Sequence, residues 1–198
     1  MNETPWWASQ RGWGHVAIWI TVIMFAILLV LTYDSHAMIE AGTERVPGYT
    51  VINKRIDYVY DEERRRYRPE VGGEQLLFGK RYSAEEAEDL VTHGKKIVQG
   101  RNCMNCHTFL GHGAYYAPDL TKSWLDPAWG SPQSREMLMV QFLQNPEENA
   151  RTYGTGRVMP DLGITKEEAR ATVAYLKWMA AIDTNGFPHN FEPMTQGG

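Results

Sequence analysis

Two cysteines, Cys103 and Cys106, are all that the 198-residue chain contains. That excludes a multi-disulfide scaffold and leaves no second cysteine pair for a four-ligand zinc site. A basic excess is also missing. Acidic residues number 24 against 20 basic ones, for a net charge of −4, which argues against a nucleic-acid-binding surface. No internal repeat and no low-complexity tract occurs, which excludes a repeat array. Mean hydropathy is −0.43, so most of the chain suits water.

One stretch does not. From Gly12 to Tyr33 there are 22 residues without Asp, Glu, Lys or Arg. As a helix this run rises about 33 Å, enough to cross the hydrocarbon core of a bilayer. Trp6, Trp7, Trp13 and Tyr33 flank it, and amphipathic rings favour the membrane interface. Arg11 precedes the run, while Asp34 and Glu40 follow it, so the positive-inside bias orients the N-terminus towards the cytoplasm. Ser35-His36-Ala37 has the form of a signal-peptide cleavage site. Against cleavage stand the length of the run and an N-region with Arg11 as its only base, so a retained anchor is the preferred reading.

The cysteines belong to Cys103-Met104-Asn105-Cys106-His107. Two thiols separated by two residues and followed by histidine form the attachment site of a c-type haem. Each thiol adds to one porphyrin vinyl group, and the next residue offers an imidazole to one face of the iron. A Cys2His2 zinc site using His107 and His112 would crowd four ligands into ten residues, without the loop that such sites need. A thioredoxin-type pair would want a preceding strand and no obligatory histidine. Covalent c-type attachment normally takes place outside the bacterial cytoplasm, which agrees with the orientation of the anchor.

Three amphipathic helices surround the motif. The first opens with Ser83-Ala-Glu-Glu86, a capping-box pattern, and stops near Gly100. Within it Gly94 is either a point of close helix approach or a tolerated weak point. The second spans Arg135 to Asn145, with Met137, Leu138, Val140, Phe142 and Leu143 as its apolar residues, and ends before Pro146. The third begins at Thr165-Lys-Glu-Glu168, a second capping box, and runs to about Ile182. The fold class expected is all-α, a class I cytochrome c-type haem domain behind a single N-terminal transmembrane helix.

The chain then divides into a cytoplasmic N-terminus (1–11), the anchor (12–33), a periplasmic linker (34–82), the haem domain (83–187) and a C-terminal tail (188–198). Within the linker, Tyr49–Ile52 and Ile56–Tyr60 are rich in β-branched and aromatic residues and suggest a short hairpin. The mixed charge run Asp61–Arg68 reads as a solvated turn, or as a docking surface for a partner or for lipid headgroups.

The second face of the iron needs a ligand, and nine methionines are available. Met1 and Met24 belong to the N-terminus and the anchor. Met104 is inside the attachment loop, and Met137 and Met179 read as core positions. Met159 lies in a loop before the last helix, 52 residues after His107, and Pro160 restricts it to extended backbone. Met159 is therefore the preferred axial ligand, with His112 and His93 as runners-up. A His/Met pair raises the reduction potential and leaves no open site for a substrate. The segment Ala117-Pro118-Asp119-Leu120 resembles the place where class I cytochromes c put a proline whose carbonyl accepts the ligand histidine's other ring N–H. Pro118 takes that role, unless it is a plain loop proline.

The segment His107-Thr-Phe-Leu-Gly-His-Gly-Ala-Tyr-Tyr-Ala-Pro-Asp-Leu120, the Met159-Pro160 loop and Leu176-Lys-Trp-Met-Ala-Ala-Ile-Asp-Thr-Asn185 together resemble the cytochrome c subunit of bacterial nitric oxide reductase. The resemblance is close over residues 94–187 and loose over the anchor. It implies a chain that is not catalytic alone. It would take electrons from a soluble cytochrome c or cupredoxin and pass them to a many-helix membrane partner with haem b, haem b3 and non-haem iron. That partner would turn two NO, two electrons and two protons into N2O and water. The resemblance also implies one covalent haem c in this chain and a calcium ion at the subunit interface. The calcium would be held here by the carbonyl of Gly113 and the hydroxyl of Tyr115, oxygen donors that suit a hard cation. The 34–82 linker is longer than in compact family members. A mono-haem subunit of a cbb3-type oxidase and a free-standing membrane-tethered carrier are the alternatives; the Gly-Ala-Tyr-Tyr and Ile-Asp-Thr-Asn segments speak against the first.

Overall fold

The computed structural model describes residue 5 and residues 9–43, 45–131, 133–149 and 156–189. Trp6 and Trp7, proposed for the membrane interface, lie outside the described residues, as do residues 190–198 of the tail.

Helix α1 covers Gln10–Ile39, 30 residues, with the Ser9 hydroxyl accepting from the Gly12 amide at 3.3 Å as its cap. None of its residues is buried against the rest of the protein. A helix whose apolar residues are exposed on every side needs an apolar solvent, and its roughly 45 Å length exceeds a hydrocarbon core. It continues six residues past Tyr33, because nothing between Asp34 and Ile39 breaks helical geometry.

The segment after it is not a tether. Val51, Ile52, Ile56, Tyr58 and Leu77 all belong to the main hydrophobic core. Strands β1 (Lys54–Asp61) and β2 (Arg66–Glu74) pair antiparallel, with Ile56 opposite Val71 and Tyr60 opposite Tyr67. Ile56 and Tyr58 alternate inwards, as the two-residue period of a strand requires. The hairpin thus joins residues 54–61 to 66–74, whereas Tyr49–Asn53 forms a 3-10 turn. Of the charge run, only residues 62–65 are turn. Asp61 accepts from the Arg64 amide at 3.0 Å, and Arg65 adopts φ +52°. Arg66 turns back instead, 3.5 Å from Asp183 and hydrogen-bonded to Asn185.

Helices α2 (Ala84–Gly100), α3 (Arg135–Gln144) and α4 (Lys166–Ala180) complete the core. Both capping boxes form: the Ser83 and Thr165 hydroxyls each accept at 3.2 Å from Glu86 and Glu168 amides, whose carboxylates reach back at 2.9 Å. Helix α2 buries Ala87, Val91, Gly94, Ile97 and Val98, a stripe at helical spacing that packs on α4. Helix α3 is phased by Met139 and Val140, which are buried. Met137, expected in the core, is 57% exposed.

Between α2 and α3 the chain buries charge. Trp124 is fully buried, with the Arg135 guanidinium and the Lys177 ammonium each 5.0 Å from its ring. Lys122 Nζ donates to the carbonyls of Ala180 at 2.9 Å and Ile182 at 2.7 Å. A cation there complements the negative end of the α4 dipole. The last turn of α4 and the segment after it act as a joint. Asp183 N donates to Arg45 O at 2.9 Å, Trp178 Nε1 donates to Pro47 O at 2.9 Å, and Tyr58 Oη donates to Phe187 O at 3.3 Å.

Candidate functional site

The attachment motif begins where α2 ends. The Arg101 amide donates to Ile97 O at 2.8 Å, and Asn102 then takes φ +54°, which turns the chain sharply away from the helix axis. Cys103–Asn105 form a 3-10 turn, tightened by the amides of Cys106 and His107 on Cys103 O at 3.2 and 2.9 Å. Both free thiols and the His107 ring line one cleft of about 400 Å³. Burial pushes the Cys103 thiol above its ordinary pKa.

His107 Nδ1 lies 2.7 Å from the carbonyl oxygen of Pro118. A carbonyl only accepts, so Nδ1 carries the proton and Nε2 keeps its lone pair. Burial lowers the pKa of His107, opposed by the Pro118 bond and by the charge of Asp119. Pro118 is held in turn by its neighbour: Asp119 accepts from Thr108 Oγ1 at 2.6 Å and from the Thr121 amide at 2.8 Å. Backbone bonds from Ala117 to Cys106 and from Leu120 to Thr108, both 2.8 Å, fold this loop onto the motif.

Met159 is half-buried and lines the same cleft, together with Pro118, Pro160 and Leu162. Neither His93 nor His112 does; both are exposed, on α2 and on the short strand β4 (His112–Gly113). Trp129 and Phe142 pack edge-to-face at 5.5 Å and add aromatic lining to the cleft. In the sequence Phe142 reads as ordinary helix core, and no pattern near Trp129 points to the site.

Two thiols, an imidazole with its Nε2 free, a thioether and otherwise mainly apolar walls are the donor set and lining that a covalent porphyrin requires. The residues therefore fit haem c.

Gly113 is not among the residues that line the cleft, whereas Tyr115 is. Strands β3 (Thr108–Phe109) and β4 form a miniature hairpin. At Gly113, φ is +124° and a Cβ would lie 2.3 Å from His107 O, so only glycine permits this fold-back. Tyr115 is 82% exposed, and its hydroxyl donates to Gly111 O at 3.1 Å. Among the described residues no group of three or more His, Cys, Asp or Glu side chains could hold a metal ion. A cation at Gly113 and Tyr115 would need most of its oxygens from elsewhere.

Capped helices wrapped round an apolar cleft that holds the haem-attachment motif define an electron-transfer domain of the cytochrome c type. The family model for cytochrome c matches residues 91–180. Three relatives are each named as the C subunit of nitric oxide reductase. The one from Stutzerimonas stutzeri is 29% identical over 60% of this chain and 77% of its own length. The one from Paracoccus denitrificans is 36% identical over 50% and 65%, and the one from Halomonas halodenitrificans is 32% identical over 52% and 68%. The chain belongs to this family of nitric oxide reductase C subunits. It is a membrane-anchored, covalent-haem electron-transfer subunit, and subunit status implies a catalytic partner.

Proposed function

We propose that this chain is the electron-entry subunit of a membrane nitric oxide reductase. Cys103 and Cys106 carry a single haem through thioether bonds, and His107 Nε2 and Met159 Sδ ligate its iron. When bound, the haem supplies a one-electron iron couple. The protein's part is to hold both ligands and exclude water. The Pro118 carbonyl fixes the tautomer and orientation of His107, Met159 occupies the position a substrate would need, and the apolar lining around Leu120, Trp129 and Phe142 keeps the site dry. The observation that carries this reading is the Nδ1–Pro118 bond, which frees Nε2 inside the cleft that Met159 also lines. Such a site relays electrons and leaves bond-making to the partner.

In this reading the N-terminus is cytoplasmic and the haem domain periplasmic. Electrons come from a soluble cytochrome c or cupredoxin and go to the haem b of a catalytic subunit that also holds haem b3 and non-haem iron. Gly113 O and Tyr115 Oη contribute to a calcium site completed by that partner.

Two measurements test the proposal. The Met159→Leu protein is expected to lose the sulfur–iron charge-transfer band and to have a lower midpoint potential; an unchanged band assigns the ligand elsewhere. The native complex is expected to reduce NO. Rapid O2 reduction without NO turnover would assign the chain to an oxidase instead, and migration as a lone small species in mild detergent would mark it as a free-standing carrier.

A further inference from the structure

We propose that Arg101 is a positioning residue that clamps the Met159 loop to the haem-attachment motif and so keeps the thioether in place. The inference rests on the reading of Met159 as the second axial ligand.

Arg101 stands two residues before Cys103, at the C-cap of α2. Its guanidinium spans to the stretch that follows Met159. Nη1 donates to Leu162 O at 3.0 Å, and Nη2 donates to Gly163 O at 3.3 Å. Nη2 also meets the Glu168 carboxylate, 3.0 Å from Oε1 and 2.9 Å from Oε2. That carboxylate is itself pinned, because Oε2 accepts from the Thr165 amide at 2.9 Å in the capping box of α4. One side chain therefore ties together the motif, the end of the ligand loop and the first turn of the last helix.

Beyond these bonds, Ile164 is buried in the core and Leu162 packs against it. Residues 156–165 form no helix or strand, and segments without a hydrogen-bonded ladder open locally at low cost. The loop's other side is fastened by a second arginine: Arg157 Nη1 donates to Tyr116 O at 2.6 Å, and its guanidinium lies 4.6 Å over the Tyr116 ring. Met159 is thus bracketed, with Arg101 acting on the side nearer α4. A planar fork of donors suits two carbonyls and a carboxylate at once, whereas the compact ammonium of lysine does not.

The test uses the full-length, haem-loaded ferric chain and the rate at which cyanide takes the methionine position, which reports how often the thioether leaves the iron. Arg101→Ala is expected to weaken the sulfur–iron charge-transfer band and to speed cyanide binding on the order of tenfold. Arg101→Lys should recover only part of the loss. Glu168→Gln preserves the capping box and should give a smaller acceleration, about threefold. A merely structural role would lower thermal stability and leave the band and the cyanide rate unchanged. Wild-type cyanide kinetics in Arg101→Ala, with the band lost in Met159→Leu, would overturn the clamp and keep the ligand assignment. A band that persists in Met159→Leu would overturn both. If Arg101→Ala fails to load haem, a wild-type cyanide rate in Glu168→Gln counts against the clamp.

Discussion

A Cβ built on Gly94 would lie 2.0 Å from the carbonyl oxygen of Ala171, so α2 and α4 meet backbone to backbone at this pair. The contact brings the helix that ends at the attachment motif against the helix that follows the Met159 loop. It decides between the two readings of Gly94 in favour of close approach. Alanine gains about 1 kcal/mol of helix propensity over glycine, but here the methyl group would meet an oxygen that cannot rotate away. Gly94→Ala is expected to destabilise the haem-loaded protein on the order of 3 kcal/mol. Thermal unfolding followed at the haem absorbance would measure this, and a raised melting temperature would contradict the crossing.

Residues 49–77 contribute to the core and should behave accordingly. Ile56 is fully buried on β1, and its truncation to alanine should cost about 2–5 kcal/mol. Denaturant unfolding provides the comparison. A residue in a solvated tether would change stability by less than about 0.5 kcal/mol.

Lys122 is a buried cation on the end of α4, and burial pushes its pKa down to about 7, against the opposing pull of Asp183 and Asp119. Lys122→Met leaves the Ala180 and Ile182 carbonyls without their donor, for a loss of about 1–3 kcal/mol. The loss should depend on pH. Between about 7 and the ordinary lysine range the unfolded chain holds a proton that the folded chain has released, so wild-type stability rises with pH across that window. The gap between wild type and Lys122→Met is therefore expected to widen from about pH 6 to about pH 9. Urea titrations at both values test the sign, and a gap that stays constant would show the folded lysine to be charged throughout.

Tyr115 offers a cleaner separation of stability from assembly. Its side chain is exposed and its hydroxyl donates to Gly111 O. Tyr115→Phe should leave the stability of the chain within about 0.5 kcal/mol. If the phenol contributes to an interface cation, the purified complex should lose calcium more readily on dialysis against a chelator. Equal calcium retention in both complexes would remove Tyr115 from the site.

Much of the site is legible in neighbouring letters. Haem attachment is a five-residue pattern, Cys103 to His107, and the anchor is an uninterrupted apolar run. The capping boxes at Ser83 and Thr165 involve partners three residues apart. All are local, so their physics is complete within a short window of chain. The hairpin is only half legible. Its inward alternation at Ile56 and Tyr58 is visible, but its second strand starts inside a charge run, where Arg66 leaves the turn to meet Asp183. Met137 reads as core yet faces out, because α3 takes its phase from what packs on it, and its own apolar residues suit either phase.

Sequence alone determined the covalent chemistry and the membrane anchor, since both depend on residue types at fixed short spacing. The tertiary structure decided the rest. It packed residues of the 45–82 stretch into the same core as the helices, placed Lys122, Arg135 and Lys177 in the interior, and set Arg101 against the carbonyls of Leu162 and Gly163. These outcomes rest on contacts such as Lys122 to Ala180, Arg101 to Glu168 and Trp178 to Pro47, which span 58, 67 and 131 residues. A charged side chain is buried only where the folded backbone brings its partners, and no local pattern along the chain records which carbonyl or carboxylate that will be.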